Sequence, residues 1–315
     1  MSNHKLKFYP VGNGDTVLIT LKDDTTILFD SNIREVGKDS DGNQIYDVKK
    51  DLLNSLKKKD NNYHLDLFVL THPDQDHCRG YKKHFYQGNP SDYKDTNRSN
   101  DEVIIDEMWV TSLLFSSATN DDAKALKNEA ERRRKLWDND DKEKDKSGNK
   151  IRMIGYDGNN KFENVPCNIP GETQNVINGK AKNDFEFFIH SPFKDSLVTA
   201  TAEKDANFSS IVVQVRFKTN STDEDFCTYV LLGGDADHNI WGKIWEISTK
   251  KSNNNADKLK WDLFLAPHHC SWTYFNDVPY NAKEENKTPK ESSLKILDKR
   301  IGKGRIIASC KKITQ

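Results

Sequence analysis

Thr71-His72-Pro73-Asp74-Gln75-Asp76-His77 carries two imidazoles and two carboxylates in a single short stretch, spaced His-x-Asp-x-Asp-His. Held close together, such groups repel or desolvate one another unless a cation sits among them. The stretch follows Leu67-Phe68-Val69-Leu70, a continuous apolar run bounded by polar sequence, which reads as a short buried strand. A loop that closes a buried strand fixes its side chains more firmly than a surface loop does. The chemistry these residue types offer in that setting is metal binding.

The same arrangement recurs along the chain. Phe185-Glu186-Phe187-Phe188-Ile189 runs into His190, Tyr229-Val230-Leu231-Leu232 into Gly233-Gly234-Asp235, and Trp261 to Ala266 into Pro267-His268-His269-Cys270-Ser271. A lone histidine beside a strand is ordinarily a hydrogen-bonded structural residue. Four strands that each deliver His or Asp at the C-terminal end point instead to one shared site.

The elements that must position these residues alternate between strand and helix. Leu6 to Val11 is strand-like and leads into Gly12-Asn13-Gly14-Asp15, a tight turn whose glycines permit positive φ. Val17-Leu18-Ile19 and Thr26-Ile27-Leu28-Phe29 are predicted strands joined at Lys22-Asp23-Asp24, and Asp30 ends the second with a carboxylate able to accept backbone N–H groups. Val48, Leu52, Leu53 and Leu56 make the apolar face of a helix predicted over Asp47 to Lys58, with Lys57-Lys58-Lys59 where a helix C-terminus favours cations. Val103 to Thr111, Ile211 to Phe217 and Ile306 to Ser309 read as further strands, and residues 83–102 as loop.

Residues 120–150 hold 9 acidic and 10 basic side chains around a thin stripe of Ala123, Leu126, Ala130 and Trp137. That pattern predicts a solvated helical insertion. Interleaved acids argue against Arg132-Arg133-Arg134-Lys135 as an anion-gripping arm, which would be more one-sided.

Composition sets outer limits. A chain of 315 residues accommodates one large α/β domain or two small ones. With 48 basic and 49 acidic residues, any surface for nucleic acid has to be local. A hydrophobic content of 35% against 31% charged residues predicts solvated segments outside the core. The five cysteines, Cys78, Cys167, Cys227, Cys270 and Cys310, are scattered without a CxxC pair, which suits a reducing compartment and not a disulfide framework. Neither a leader-like N-terminus nor a long apolar run is present, so the expectation is a soluble cytoplasmic protein without a membrane partner.

Taken in order, Val11-Gly12-Asn13-Gly14-Asp15-Thr16, the Thr71–His77 stretch, Gly234-Asp235 and Pro267-His268-His269-Cys270-Ser271 resemble the motif series of the metallo-β-lactamase fold. The likeness is to the branch containing the hydrolase domain of the competence protein ComEC, and it runs from about residue 6 to 310. It implies a single α/β domain over residues 1–315, an αββα sandwich of two mixed β-sheets flanked by helices, with a binuclear site along one sheet edge. Carried over by position, His72, Asp74 and His190 take one metal, Asp76, His77 and His269 the other, and Asp235 bridges them. Asp76 and His268 are the implied catalytic residues, His268 contacting substrate or protonating the leaving group. Asp15 and Asp30 orient the ligand imidazoles, or alternatively cap turns.

Two positions depart from the family pattern. Asp74 stands where the superfamily has a second histidine, and Cys270 where it has a glycine. An oxygen-richer set lets Mn²⁺ compete with Zn²⁺ as the pair of divalent ions. The resemblance implies a phosphodiesterase or nuclease acting on nucleic acid or a nucleotide, with Ser209, Ser210, Ser271 and insertion Lys or Arg residues holding the rest of the phosphate. Hydrolysis of a lactone, thioester or β-lactam is the alternative chemistry. A metal-bound binding module without turnover is the alternative class, and the complete ligand set argues against it. Asn175 to Lys182, residues 120–150 and Ala282 to Lys290 are the segments that would shape specificity.

Overall fold

A computed structural model describes residues 3–155, 162–203, 205–280 and 287–311. Most of the segment from Ala282 to Lys290, expected to shape specificity, therefore lies outside the described residues.

The N-terminal half supplies β1 (Lys5–Phe8), β2 (Val17–Thr20), β3 (Thr26–Phe29), a two-residue β4 (Ser31–Asn32), β5 (Lys57–Lys59), β6 (Asn62–Val69), β7 (Ile104–Val110), β8 (Lys150–Ile154) and β9 (Cys167–Asn168). They assemble in the order β1-β2-β3-β6-β7-β8-β9, with β5 pairing on β6. The first pairs are antiparallel, and from β3 onward along this path the strands run parallel. The C-terminal half supplies β10 (Thr173–Gln174), the small hairpin β11 (Val176–Ile177) and β12 (Lys180–Ala181), β13 (Phe185–Ser191), β14 (Val212–Phe217), β15 (Thr228–Leu232), β16 (Trp261–Leu265) and β17 (Arg300–Ile307). Its sheet has the order β10-β13-β14-β15-β16-β17, with β15, β16 and β17 mutually parallel. The fold is thus mixed α/β, with both parallel and antiparallel pairs in each large sheet.

Helices fill the connections: α1 (Val48–Ser55), α2 (Gln75–Cys78), α3 (Tyr81–His84), α4 (Asp95–Ser99), α5 (Leu114–Ser117), α6 (Asp121–Asp138), α7 (Lys194–Glu203), α8 (His238–Thr249), α9 (Pro267–Cys270) and α10 (Glu291–Leu297). Three apolar clusters account for the packing. One joins Leu52 of α1, Tyr81 of α3 and Leu126 of α6 to Phe68 and Met108 of the first sheet. A second contains Ile19, Ile27, Val69 and Trp109 from the first sheet together with Phe187, Ile189, Val213 and Val230 from the second. The third packs Ile240, Trp241 and Ile244 of α8 and Ile296 of α10 on Val212, Leu231 and Phe264. Alternation along each strand explains the division: in β6, Leu67 and Val69 join one cluster and Phe68 the other.

Most expected strands are present with their ends shifted by a few residues, and three expectations need correction. Lys57-Lys58-Lys59 is not a helix end but the edge strand β5, turned onto β6 through Asp60 and Asn61, whose φ values of 51° and 63° suit a two-residue hairpin turn. Residues 83–102, expected as loop, contain the short helix α4 and the turn Pro90–Asp92. Residues 120–150 are helical over α6, but the helix is not a solvated appendage. Ala123, Leu126 and Ala130 are fully buried against the first sheet. Arg133 is 1% exposed, its guanidinium donating to Glu129 at 2.8 Å, to the Lys150 carbonyl at 2.9 Å and to the Ile105 carbonyl at 2.8 Å. A charge run read as solvated was in part a buried, satisfied network.

Candidate metal centre

Parallel strands bring their C-terminal ends to the same edge of a sheet, and both sheets use this. From the first sheet, β3 ends just before Asp30 and β6 just before Leu70-Thr71-His72; from the second, β15 ends before Gly234-Asp235 and β16 before Pro267-His268-His269. The two edges are fastened together. Ile211 N–H, just before β14, donates to the Thr71 carbonyl at 3.1 Å across the two, and within the second sheet His268 N–H donates to the Gly234 carbonyl at 3.0 Å. Gly234 has φ +48°, and a Cβ there would lie 2.7 Å from Thr71 Oγ1, so only glycine lets the Asp235 loop approach the His72 loop this closely. Gly14, at φ +131°, does the same for the N-terminal turn: a Cβ would lie 2.7 Å from the Asp76 carbonyl.

Asp235 organises the cluster. Its Oδ1 lies 3.1 Å from His77 Nε2 and 3.3 Å from His269 Nε2. Its Oδ2 lies 3.6 Å from His72 Nε2 and 3.7 Å from His268 Nε2. Each oxygen of one carboxylate therefore faces a separate pair of imidazole nitrogens. Asp76 Oδ2 adds to the first group at 3.1 Å from His269, and Asp74 Oδ2 to the second at 3.6 Å from His72. Asp15 stands 3.7 Å from His269 Nδ1, and one ligand atom each of Asp15, His77, Asp235 and His269 lie within 4.8 Å of one another.

The imidazoles are held from behind. Asp30, 1% exposed, faces His77 Nδ1 at 2.8 Å and accepts from Thr71 N–H at 2.7 Å and Thr71 Oγ1 at 2.6 Å. The carboxylate thus fixes both the start of the ligand loop and the ring at its end, leaving His77 Nε2 directed at Asp235. Thr71 Oγ1 also meets His72 Nδ1 at 3.1 Å, Gly14 N–H donates to His269 Nδ1 at 3.1 Å, and Thr273 Oγ1 meets His268 Nδ1 at 2.8 Å. The residues missed from sequence, Thr71, Gly14 and Thr273, are those that contact the far side of each ring. Thr71 was detectable as the residue joining strand to ligand; Thr273 carries no comparable mark.

Electrostatics describe a site that attracts positive charge. Burial works against charge on His77, yet Asp235 and Asp30 raise its pKa well above the ordinary value. For His269 burial is likewise outweighed by Asp15, Asp235 and Asp76, and the pKa is raised to about 11. Burial alone would push Asp76 up, but His269 and His77 hold it down to about 2. Asp235 lies well below the usual carboxylate range because His77 and His72 outweigh its burial, whereas burial dominates at Asp30 and raises it. Asp15 Oδ1, His72 Nε2 and Asp235 Oδ1 are buried with no hydrogen-bond partner. Carboxylate oxygens and imidazole nitrogens that converge on one buried space fit a cation there.

No protein-family model matches the chain, and no curated protein matches its sequence.

Not every expected ligand joins the cluster. His190 is buried, but its Nε2 lies 3.0 Å from the Lys258 carbonyl and its ring meets Phe188 edge-on at 4.9 Å. Strand parity is the reason. Phe185, Phe187 and Ile189 of β13 join the cluster shared by both sheets, so His190 faces the other way, and burial holds its pKa at about 4. The place opposite Asp235 Oδ2 beside His72 is taken by His268. Ser209 is also turned away, its hydroxyl donating to the Ala206 carbonyl at 2.7 Å. Ser210 Oγ is buried without a partner, and Ser271 Oγ accepts from Thr273 N–H at 3.4 Å within its own turn. The strained segment of the site is His268-His269-Cys270, with φ of 49°, 52° and 65°. Cys270 holds the left-handed conformation that glycine adopts without cost.

Proposed function

We propose that the chain is a binuclear metal-dependent hydrolase of the metallo-β-lactamase fold, acting on phosphodiesters. The observation that carries this reading is Asp235, each of whose carboxylate oxygens faces its own pair of imidazole nitrogens. His77, His269 and Asp76 would hold one ion, and His72, Asp74 and His268 the other, with Asp235 shared. His268 takes the place expected for His190. The three apolar clusters, in the order helices on sheet, sheet on sheet and sheet on helices, support the αββα arrangement.

When bound, two divalent cations lower the pKa of a water to near neutrality and neutralise charge on phosphoryl oxygens. The protein's own part is positional. Asp30 and Thr71 lock the rings of His77 and His72, Thr273 fixes His268, and the glycine at 234 lets both loops meet. With its side chain 29% exposed, against 0% for His72 and His77, His268 is the ring with most access to substrate. Asp74 makes its side of the site richer in oxygen, which favours Mn²⁺ beside Zn²⁺ and suits phosphoryl chemistry.

The test combines metal analysis with turnover. The purified chain should bind two equivalents of Mn²⁺ or Zn²⁺ and hydrolyse a chromogenic phosphodiester and DNA, linear or circular. Asp235→Asn should retain less than about half an equivalent and lose turnover by about a thousandfold or more. Full metal occupancy in that variant, or turnover of a lactone with none of any phosphodiester, would overturn the reading.

A further inference from the structure

Beside the ligand loop the surface opens into a cavity of about 630 Å³ whose cations are Arg34, Arg79, Lys82 and Lys83. Two of the four are neutralised within it: Lys82 by Asp121 at 3.2 Å and Lys83 by Glu35 at 2.6 Å. The remaining carboxylate on the wall, Asp122, accepts from the Gln75 amide at 2.8 Å and from the Lys82 backbone N–H at 2.9 Å. Arg34 and Arg79, both half-buried, have no ion pair or side-chain hydrogen bond to another described residue. Asp39 is near enough to feel the charge of Arg34 but uses its oxygens on Asp41 N–H and Asn43 N–H, at 3.0 and 2.8 Å.

A guanidinium has five N–H donors and cannot discharge, so Arg34 and Arg79 keep full charge and donors that no other described residue takes up. Both line one cavity, and guanidinium donors are the groups that pair best with phosphoryl oxygens. Their position ties them to the candidate metal centre. Arg79 follows the ligand His77 by two residues, and its backbone bridges β4. Arg34 lies over the Gly12 turn, where a Cβ would come within 3.8 Å of its Nη2, and Gly14 of the same turn donates to His269. Arg34 also lines an adjoining groove of about 730 Å³ with Lys311, while Lys83 leads into a third of about 590 Å³ that holds Lys49 and Lys50. Acids lie along this path too, and Lys311 is paired with Asp41 at 3.5 Å. Along this path the two arginines stand out as half-buried cations without an internal partner among the described residues, Lys50 being unpaired but exposed.

We propose that Arg34 and Arg79 grip a phosphate next to the one being cleaved, so that the substrate is a nucleic-acid strand of several nucleotides and not a mononucleotide or an isolated ester. This rests on the phosphodiester reading above. Neither arginine touches the reacting atoms; both set which substrates bind.

The experiment uses the metal-loaded chain and a fluorescein-labelled, hydrolysis-resistant phosphorothioate oligothymidylate of about ten nucleotides. Arg34→Ala and Arg79→Ala should each weaken binding about tenfold. Each should also flatten the dependence of log affinity on log salt by about 0.7. Arg34→Lys and Arg79→Lys should keep that slope, and hydrolysis of bis(p-nitrophenyl) phosphate, which has one phosphate only, should stay within about twofold in all four variants. Unchanged affinity and slope in both alanine variants would overturn the proposal. An equal loss on the single-phosphate ester would overturn it as well, because the arginines would then act on the centre itself. The two levels separate cleanly: an inert wild-type chain whose strand binding still depends on the arginines removes the hydrolase reading alone, and a hydrolase whose strand binding ignores them removes this one alone.

Discussion

At the scale of single residues, His268 and not His190 lies beside Asp235, the reverse of what the family resemblance implied for a ligand there. Both follow apolar strands, and sequence offers no way to tell a strand that ends one residue earlier from one that carries its histidine on the outer face. The structure separates them by partner: a backbone carbonyl for His190, the shared carboxylate and a threonine hydroxyl for His268. His190→Gln should therefore keep both metal equivalents, while His268→Gln should lose one, as read by metal analysis after gel filtration. Retention of both ions by His268→Gln together with lost turnover would return His268 to the role of proton donor. The pH dependence of stability gives an independent check. Burial lowers the pKa of His190 from 6.5 to about 4, so the fold keeps it neutral while the unfolded chain takes up a proton below 6.5. The stability it contributes is present above that value and lost as pH falls toward 4, by about 3 kcal/mol at most. His190→Gln, which can still donate to the Lys258 carbonyl, should flatten the urea midpoint between pH 6.5 and 4, leaving a residual slope from His84, which burial and Lys49 also lower to about 4.

Among elements, α6 changes most between sequence and structure. Its stripe of Ala123, Leu126, Ala130 and Trp137 is legible in the sequence but thin among dense charges, and Ala123 and Ala130 bury little area individually while allowing the helix to lie close to the sheet. The charges are not all solvated either, since Glu129 and Arg133 are 3% and 1% exposed. Periodicity counts apolar side chains, so a face closed by alanines and a satisfied ion pair reads as polar. The N-terminus of α6 also reaches the site. Asn120 caps it by accepting from Ala123 N–H at 2.8 Å while donating to the Pro73 carbonyl at 3.2 Å, and Asp122 holds Gln75 of the ligand loop. Arg133→Ala should leave Glu129 buried with less charge compensation and cost about 3 kcal/mol in urea unfolding, whereas exposed Lys135→Ala should change stability by less than about 0.5 kcal/mol. A solvated arm would make the two substitutions equivalent. The strands were far more legible than this helix, because β-rich runs such as Ile211 to Phe217 set large apolar side chains at alternate positions: Ile211, Val213, Val215 and Phe217 all join the second cluster, while Val212 joins the third.

For the molecule as a whole, the candidate centre is a joint between two halves. The first sheet brings His72, His77 and Asp30, the second brings Asp235, His268 and His269, and the N-terminal turn bonds to His269 through Gly14 and to Ser309, near the end of the described chain, through the Gly14 carbonyl. A cation at this joint would tie the halves together and so link metal binding to global stability. Saturating metal should raise Tm by roughly 5–10 °C over the chelated protein. The pH dependence has opposite signs in the two forms. Without metal, His77 and His269 have folded pKa values raised above 6.5, to about 11 for His269, by the carboxylates around them. Their contribution is then fully present below 6.5 and declines as pH rises toward 11. Metal competes with those same protons, so its affinity rises with pH as protons are displaced. The gap in Tm between metal-loaded and chelated protein should widen steadily from pH 6 to 8.5, with proton release on titration measurable in buffers of differing ionisation enthalpy. A gap that stays constant or narrows over that range would mean that the ions do not displace protons from His77 and His269.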